Sequence, residues 1–368
     1  MSEAMGTAKP LPRALVIMLL AAASIVAIIG LRQLGWLIGP VFLALVIVIL
    51  VNPLHRTLRR RGVPKIVALL LLLLAIYGIL IGLIAILGYS VARLATIVPA
   101  YAANAALLND LGARLATIGV GQQQIREAVS GLDLGQLGQW LTSRLRSIIG
   151  FGANVIFLLS LLLFLGIEST GTAQRMSTIV ATHPRTADAL LDFAIKTRRF
   201  LAVTGIFAIV VGLADTLLLL RLGIPLALLW GLLAAACNFI PYVGFIIGVI
   251  PPALLALLGG DWRLMIIVIV AYIVLNSLFT SLLPPYFVGD AVGMSITVTL
   301  ISVVFWAWVL GPLGAVLAIP LTLLMKAVFI DADPRAAWAA TLIGSTRSEA
   351  RRSLRRNRTT RDKSRDRV

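Results

Sequence analysis

Long apolar runs, joined by short polar or glycine- and proline-rich stretches, set the pattern of this chain. Runs at 14–31, 34–52, 66–88, 148–167, 200–220, 224–258, 264–283 and 294–330 approach or exceed the roughly 20 residues that a bilayer-spanning helix takes. Nothing alternates at period two, which sets aside a membrane β-barrel. The pattern predicts an all-α polytopic integral membrane protein with about eight membrane segments, six to ten depending on how the longest runs fold.

Three of the runs are interrupted. NFIPYVGFIIGVIPP, residues 238–252, places Pro241, Gly244, Gly248, Pro251 and Pro252 where an unbroken membrane helix would carry Leu or Ala. LGPLGAVLAIPLT, residues 310–322, repeats the theme with Gly311, Pro312, Gly314 and Pro320. Between them, NSLFTSLLPPYFVGDAVGMS (276–295) offers Asn276, Ser277, Thr280 and Ser281, then Pro284 and Pro285, then Gly289 and Gly293. In hydrocarbon every backbone group must be satisfied internally, so broken backbone survives only against protein or a water-filled cavity. Corresponding Gly/Pro-interrupted segments are the best sequence pointer to a transporter binding site. The breaks are therefore expected to build a polar pocket at membrane depth. Small residues that merely let helices pack closely are the plainer account.

Composition agrees: 60% of the 368 residues are hydrophobic, against roughly 45–50% in soluble proteins. The net charge of +17 does not point to nucleic acid, because the excess is concentrated in two places. NPLHRTLRRRGVPK (52–65) holds five Lys/Arg and no acid, and the tail 345–368 holds ten Lys/Arg against three acids. Such segments report topology by the positive-inside rule, so both termini and the 52–65 loop are expected on the cytoplasmic side of an inner or plasma membrane. The tail is too polar to bury a core and is expected to be disordered, in contact with anionic lipid.

Four regions follow: an N-terminal three-helix membrane region (1–88), an extracytoplasmic amphipathic segment (89–147), a C-terminal membrane region with broken helices (148–330), and the basic tail (331–368). In the second, Leu134, Leu137, Trp140, Leu141 and Leu145 share one helical face. Residues 168–199 read as a loop. If the tail ends inside, the stretches 224–258 and 294–330 are either paired full spans or re-entrant hairpins.

Candidate chemistry is sparse. Cys237 stands alone, and His55 and His183 are the only histidines, both in polar stretches. Metal clusters and His-based triads are thus not expected, nor is any cofactor, and the chain is not expected to be an enzyme. No GxxxxGK[ST] loop is present, so transport would be secondary or passive. Asp215 is the one acid well inside a run and the candidate for ion coupling. It precedes Arg221 by six residues, about 9 Å along a helix, so an interfacial position or a pair with Arg221 is the competing expectation. Asp290 and Lys326, nearer segment ends, read as anchors.

These motifs carry a family likeness. GPVFLALVIVILVNPLHRTLRRRGVPK, GIPLALLWGLLAAACNFIPYVGFIIGVIPPALLALL, PYFVGDAVGMS and WAWVLGPLGAVLAIPLTLL resemble the autoinducer-2 exporter family, also called PerM-like permeases, over residues 15 to 330. The resemblance implies a multi-pass exporter of a small polar solute, homo-oligomeric and in some members pentameric. Cation–proton antiport is an alternative assigned to other members, and a non-transport oligomeric scaffold is the alternative from another class. On this resemblance Asn238, Pro241, Gly244, Pro285, Gly289, Gly311, Gly314 and Pro320 occupy marked positions, with Asn276 and Ser281 beside the third break. Many members carry an acidic residue before that break; here the positions read Asn276, Ser277, Phe279 and Ser281, and Ile296 replaces a frequent proline.

Overall fold

The computed structural model describes residues 12–102, 151–168, 171–241, 243–259, 262–282 and 294–333. These residues form helices throughout: α1 (Arg13–Gln33), α2 (Gly35–Arg60), α3 (Lys65–Ala102), α4 (Phe151–Glu168), α5 (Thr172–Thr182), α6 (Pro184–Arg221), α7 (Ala227–Cys237), α8 (Gly244–Leu258), α9 (Trp262–Leu282), α10 (Ile296–Leu310) and α11 (Pro312–Lys326), which runs into a π-helical turn, Ala327–Asp331. Five stretches are long and apolar enough to cross a membrane: Ala14–Gln33, Gly35–Arg60, Lys65–Gly82, Pro184–Arg221 and Pro312–Asp331. Shorter apolar helices accompany them, as the runs anticipate. The amphipathic face at 134–145 and the basic tail beyond 333 lie outside the described residues.

The structure corrects two readings of polar stretches. Residues 168–199 are largely helix: α5 and then the first half of α6, with Pro184 in the first turn, where its missing N–H and fixed φ are favourable. The 52–65 stretch stays helical to Arg60 and turns only at Gly62, whose φ is 87°. His55 is accordingly helical, and its Nε2 is buried without a partner beside a cavity of about 40 Å³ that Asn52, Leu73, Leu162 and Gly166 help line.

The 38 residues of α6 span about 57 Å and organise the rest. Its buried residues include Phe193, Thr197, Phe200, Thr204, Ala208, Val211, Asp215 and Leu219, in steps of three or four that mark one continuous stripe, with Gly212 beside Val211. The end of α6 is set by Gly223 at φ 70°. There the Ile224 N–H donates to Leu219 O and the Gly223 N–H to Leu220 O, the paired bonds of a glycine-terminated helix.

Three clusters divide the interior. One joins α2, the first half of α6, α10 and α11 through Phe42, Val46, Phe193, Phe200, Trp306 and Leu317. A second joins the last turns of α6 to α7, α8 and α9 through Leu219, Trp230, Ala256, Val268 and Tyr272. A third packs α2 against α3 and α4 through Ala44, Leu73 and Leu162. Many large apolar side chains remain exposed, among them Leu20, Leu74, Ile79, Ile206 and Leu217, as a lipid-facing or subunit-facing surface requires.

Candidate functional site

Both repeats fold as helical hairpins. In the first, α7 and α8 are joined by residues 238–243; in the second, α10 and α11 are joined at Gly311. The arms of the first hold 11 and 15 residues, about 16 and 22 Å, short of a hydrocarbon core of about 30 Å. That length fits a re-entrant hairpin. In the second, α10 has 15 residues, and α11 with its π turn forms a 20-residue apolar stretch.

The same device closes each bend. A Cβ on Gly244 would overlap the carbonyl oxygen of Cys237, the last residue of α7; a Cβ on Gly314 would overlap the carbonyl oxygen of Trp306 in α10. Each glycine thus lets the first turn of the returning arm sit against backbone of the outgoing arm. Gly311 adds a requirement of its own, since φ 70° and ψ −153° describe backbone that side-chain-bearing residues scarcely adopt.

The hairpins are rooted at opposite ends of α6. Helix α7 packs antiparallel along it: Gly231 meets Thr216 and Gly212, Ala235 meets Gly212, and Phe239 reaches Gly205. The root of this hairpin therefore lies beside Leu219 and its break deep along α6. The second hairpin is rooted beside the other end, where Leu323 and Ala327 share a cluster with Ala189 and Phe193. Its tip touches the α1–α2 junction, with Gly35 against Val309 O and Gly39 against Leu313, and Arg32 stacks over the Trp308 ring at 4.8 Å. Phe239 and Ile240, from the first break, pack against the cluster that holds Ala315, Leu317 and Ile319 of the second. The structure thus brings two of the three breaks onto one core.

Their polar contents differ. At the first break the Asn238 Nδ2 is buried without a partner, and the Thr197 Oγ1 on α6 is likewise unpaired and fully buried. Pro241 sits in the turn itself. In the second hairpin Pro320 is buried within α11. There the Trp306 Nε1–H donates to Thr322 Oγ1 at 3.0 Å, and the Thr322 hydroxyl donates to Ala318 O at 2.8 Å. Of the third break, Asn276 is half-buried on α9 and Ser281 lies in the last turn of that helix. Pro285, Gly289 and Asp290 lie outside the described residues.

Asp215 and Lys326 are both buried. Asp215 is not paired with Arg221: it is 2% exposed on the buried stripe of α6, while Arg221 is exposed at the helix end. The register places Asp215 four residues from Leu219, facing the protein. Lys326 is held in an ion pair. Its ammonium donates to both Asp331 oxygens at 2.6 Å from a largely buried position, and the π-helical turn brings the two together. Thr197, Thr204 and Tyr272 were missed among buried polar groups. Spacings of seven and eleven residues put Thr197, Thr204 and Asp215 on one face of α6, the sequence signal that marks two of them.

Apolar helices long enough to cross a bilayer, with two glycine-closed hairpins set into their core, define a multi-pass helical membrane protein. The chain belongs to the AI-2E transporter family, whose profile matches residues 14–332. It is 28% identical over 304 residues to the AI-2 transport protein TqsA of Escherichia coli K12, covering 82% of this chain and 88% of that protein. It is 26% identical over 351 residues to YhhT of Escherichia coli K12, covering 94% and 99%. It is also 25% identical over 332 residues to a Haemophilus influenzae Rd protein, covering 88% and 94%. The assignment of the last two as transport proteins is provisional.

Proposed function

We propose that this chain exports a small polar solute of the autoinducer-2 kind, by a secondary or passive mechanism, and holds it at the break of the first hairpin. The observation that carries this reading is the buried, unpaired amide nitrogen of Asn238 beside backbone that Gly244 keeps compact. A buried donor left unmade is costly, and a hydroxyl-rich solute supplies the missing acceptor. Thr197 adds a second unsatisfied group along α6. Pro241 shapes the turn, and Gly311, Gly314 and Pro320 hold the opposing hairpin in place. Asn276, Ser281, Pro285 and Gly289 complete the pathway in this proposal. Neutral groups suit a neutral solute, since they hold it without burying a formal charge.

The setting belongs to the same proposal. Both termini face the cytoplasm, as the basic residues beside the apolar helices favour. The tail rests on anionic lipid, and exposed apolar faces outside the hairpins serve lipid and a homo-oligomer.

The test is a paired metabolite comparison between cells lacking the protein and cells overproducing it, with autoinducer-2 measured inside and outside. Overproduction should move the solute to the medium, and deletion should retain it. Identical distributions of every polar metabolite in the two strains would remove the export reading.

A further inference from the structure

We propose that Asp215 and Tyr272 form a proton-binding site inside the membrane region, which couples solute export to proton movement. The coupling rests on the transport reading above; the site itself does not.

Two buried polar side chains lie here on helices that pack together, α6 and α9. Asp215 and Tyr272 are each 2% exposed. Tyr272 belongs to the cluster of Leu219, Trp230, Ala256 and Val268, and the register of α6 turns Asp215 toward the same cluster. The Tyr272 hydroxyl makes no hydrogen bond. An acid in this position requires a cation or a proton, because an ionised carboxylate in apolar surroundings is costly.

The surroundings decide between those two. Around this part of α6, helix α7 contributes Cys237, α9 contributes Arg263 and Tyr272, and α8 contributes no titratable or charged group. Arg263 is exposed, nine residues before Tyr272 on α9, and Cys237 lies at the far end of α7, beside the hairpin break. Arg221, on α6 itself, is exposed at the helix end. Helices α2, α5 and α11 with its π turn bear charge too, but α2 and α11 meet α6 in the cluster around Phe193 and Phe200, toward its opposite end. α5 precedes α6 at that same end. Hard cations take about six oxygen ligands. Three side-chain oxygens are too few for that, and no group of three or more metal-ligating residues exists among the described residues. A proton needs only these two side chains.

The chemistry is a proton transfer alone: an O–H bond forms on Asp215 as one breaks on a hydronium ion, leaving water. A phenol both donates and accepts. Tyr272 can therefore donate to the ionised carboxylate and accept from the protonated acid, serving both states with a small rotation. Thr216, next to Asp215, sits in the tight α6–α7 crossing, where a Cβ on Gly231 would overlap its hydroxyl. A change at Asp215 is thus one residue from the packing that positions the first hairpin.

The experiment is an infrared pH titration of the purified full-length protein in liposomes, comparing wild type, Asp215→Asn and Tyr272→Phe across about pH 5 to 9. A protonated-carboxyl band should titrate in wild type, vanish in Asp215→Asn, and shift in frequency and midpoint in Tyr272→Phe. Identical titrations in wild type and Asp215→Asn would overturn the site. A second arm measures autoinducer-2 flux under an imposed pH gradient. Asp215→Asn should lose the acceleration by the gradient while keeping downhill flux; full acceleration in that variant would overturn the coupling. If wild type itself moves no autoinducer-2, the solute assignment fails, and the infrared result still decides the site.

Discussion

The two hairpins share one construction and differ in what they leave unsatisfied. Both turn on a glycine pressed against a carbonyl of the outgoing arm, Gly244 on Cys237 and Gly314 on Trp306. In the second hairpin the polar groups are spent within the fold: Trp306 bonds Thr322, Thr322 bonds Ala318 O, and Ser302 and Thr299 bond carbonyls of Val298 and Ser295. In the first, the Asn238 amide nitrogen stays unpaired. A break in a membrane helix is therefore not itself a binding site. The unmet hydrogen-bonding capacity beside it separates a structural bend from one suited to a ligand.

The construction is broken most severely at its shared element. Gly244→Ala and Gly314→Ala each drive a methyl group into fixed backbone, a harsher insult than ordinary overpacking, which costs about 1–3 kcal/mol. Neither variant should give the monodisperse wild-type peak after detergent extraction and size-exclusion chromatography. A wild-type profile for either would mean that the bend relaxes without penalty.

A smaller effect is expected at the root of the second hairpin. Lys326→Met strands Asp331 beside the π turn. Breaking a fully buried pair costs about 3–5 kcal/mol, and the Asp331 side chain is 23% exposed, so the loss should fall below that range. Thermal unfolding in detergent should show a clear drop in midpoint, and an unchanged midpoint would show that the pair contributes nothing. Smallest is Trp306→Phe, which removes one interhelical hydrogen bond of the kind worth about 0.6 kcal/mol in membranes. It should lower the midpoint slightly and leave export intact. Lost export would move the site toward the second hairpin.

Much of this arrangement was legible in the sequence because hydropathy and backbone chemistry are local. The apolar runs mark the helices, and Pro241, Gly244, Gly311 and Gly314 mark the bends, since few other residues serve there. Helix extent was harder. The first half of α6 is polar enough to read as a loop, yet Ala187, Phe193 and Phe200 pack against other elements and hold it helical. Asp215 was visible as an acid within a run, but its burial depends on which face of α6 meets α7 and α9, a tertiary fact. The Lys326–Asp331 pair was hidden for a similar reason, because the π turn alters the register in which those two residues meet.

The contrast between the hairpins is tested most directly by measuring autoinducer-2 efflux from cells that carry equal, membrane-inserted amounts of Asn238→Ala or Thr322→Val. Asn238→Ala removes a buried, unpaired N–H donor and should not lower stability, while weakening solute binding about 2- to 10-fold, the worth of one neutral hydrogen bond. Thr322→Val removes a group already satisfied within the second hairpin and should export at the wild-type rate. Equal efflux from Asn238→Ala and wild type, or a larger loss in Thr322→Val, would contradict a solute site at the first break.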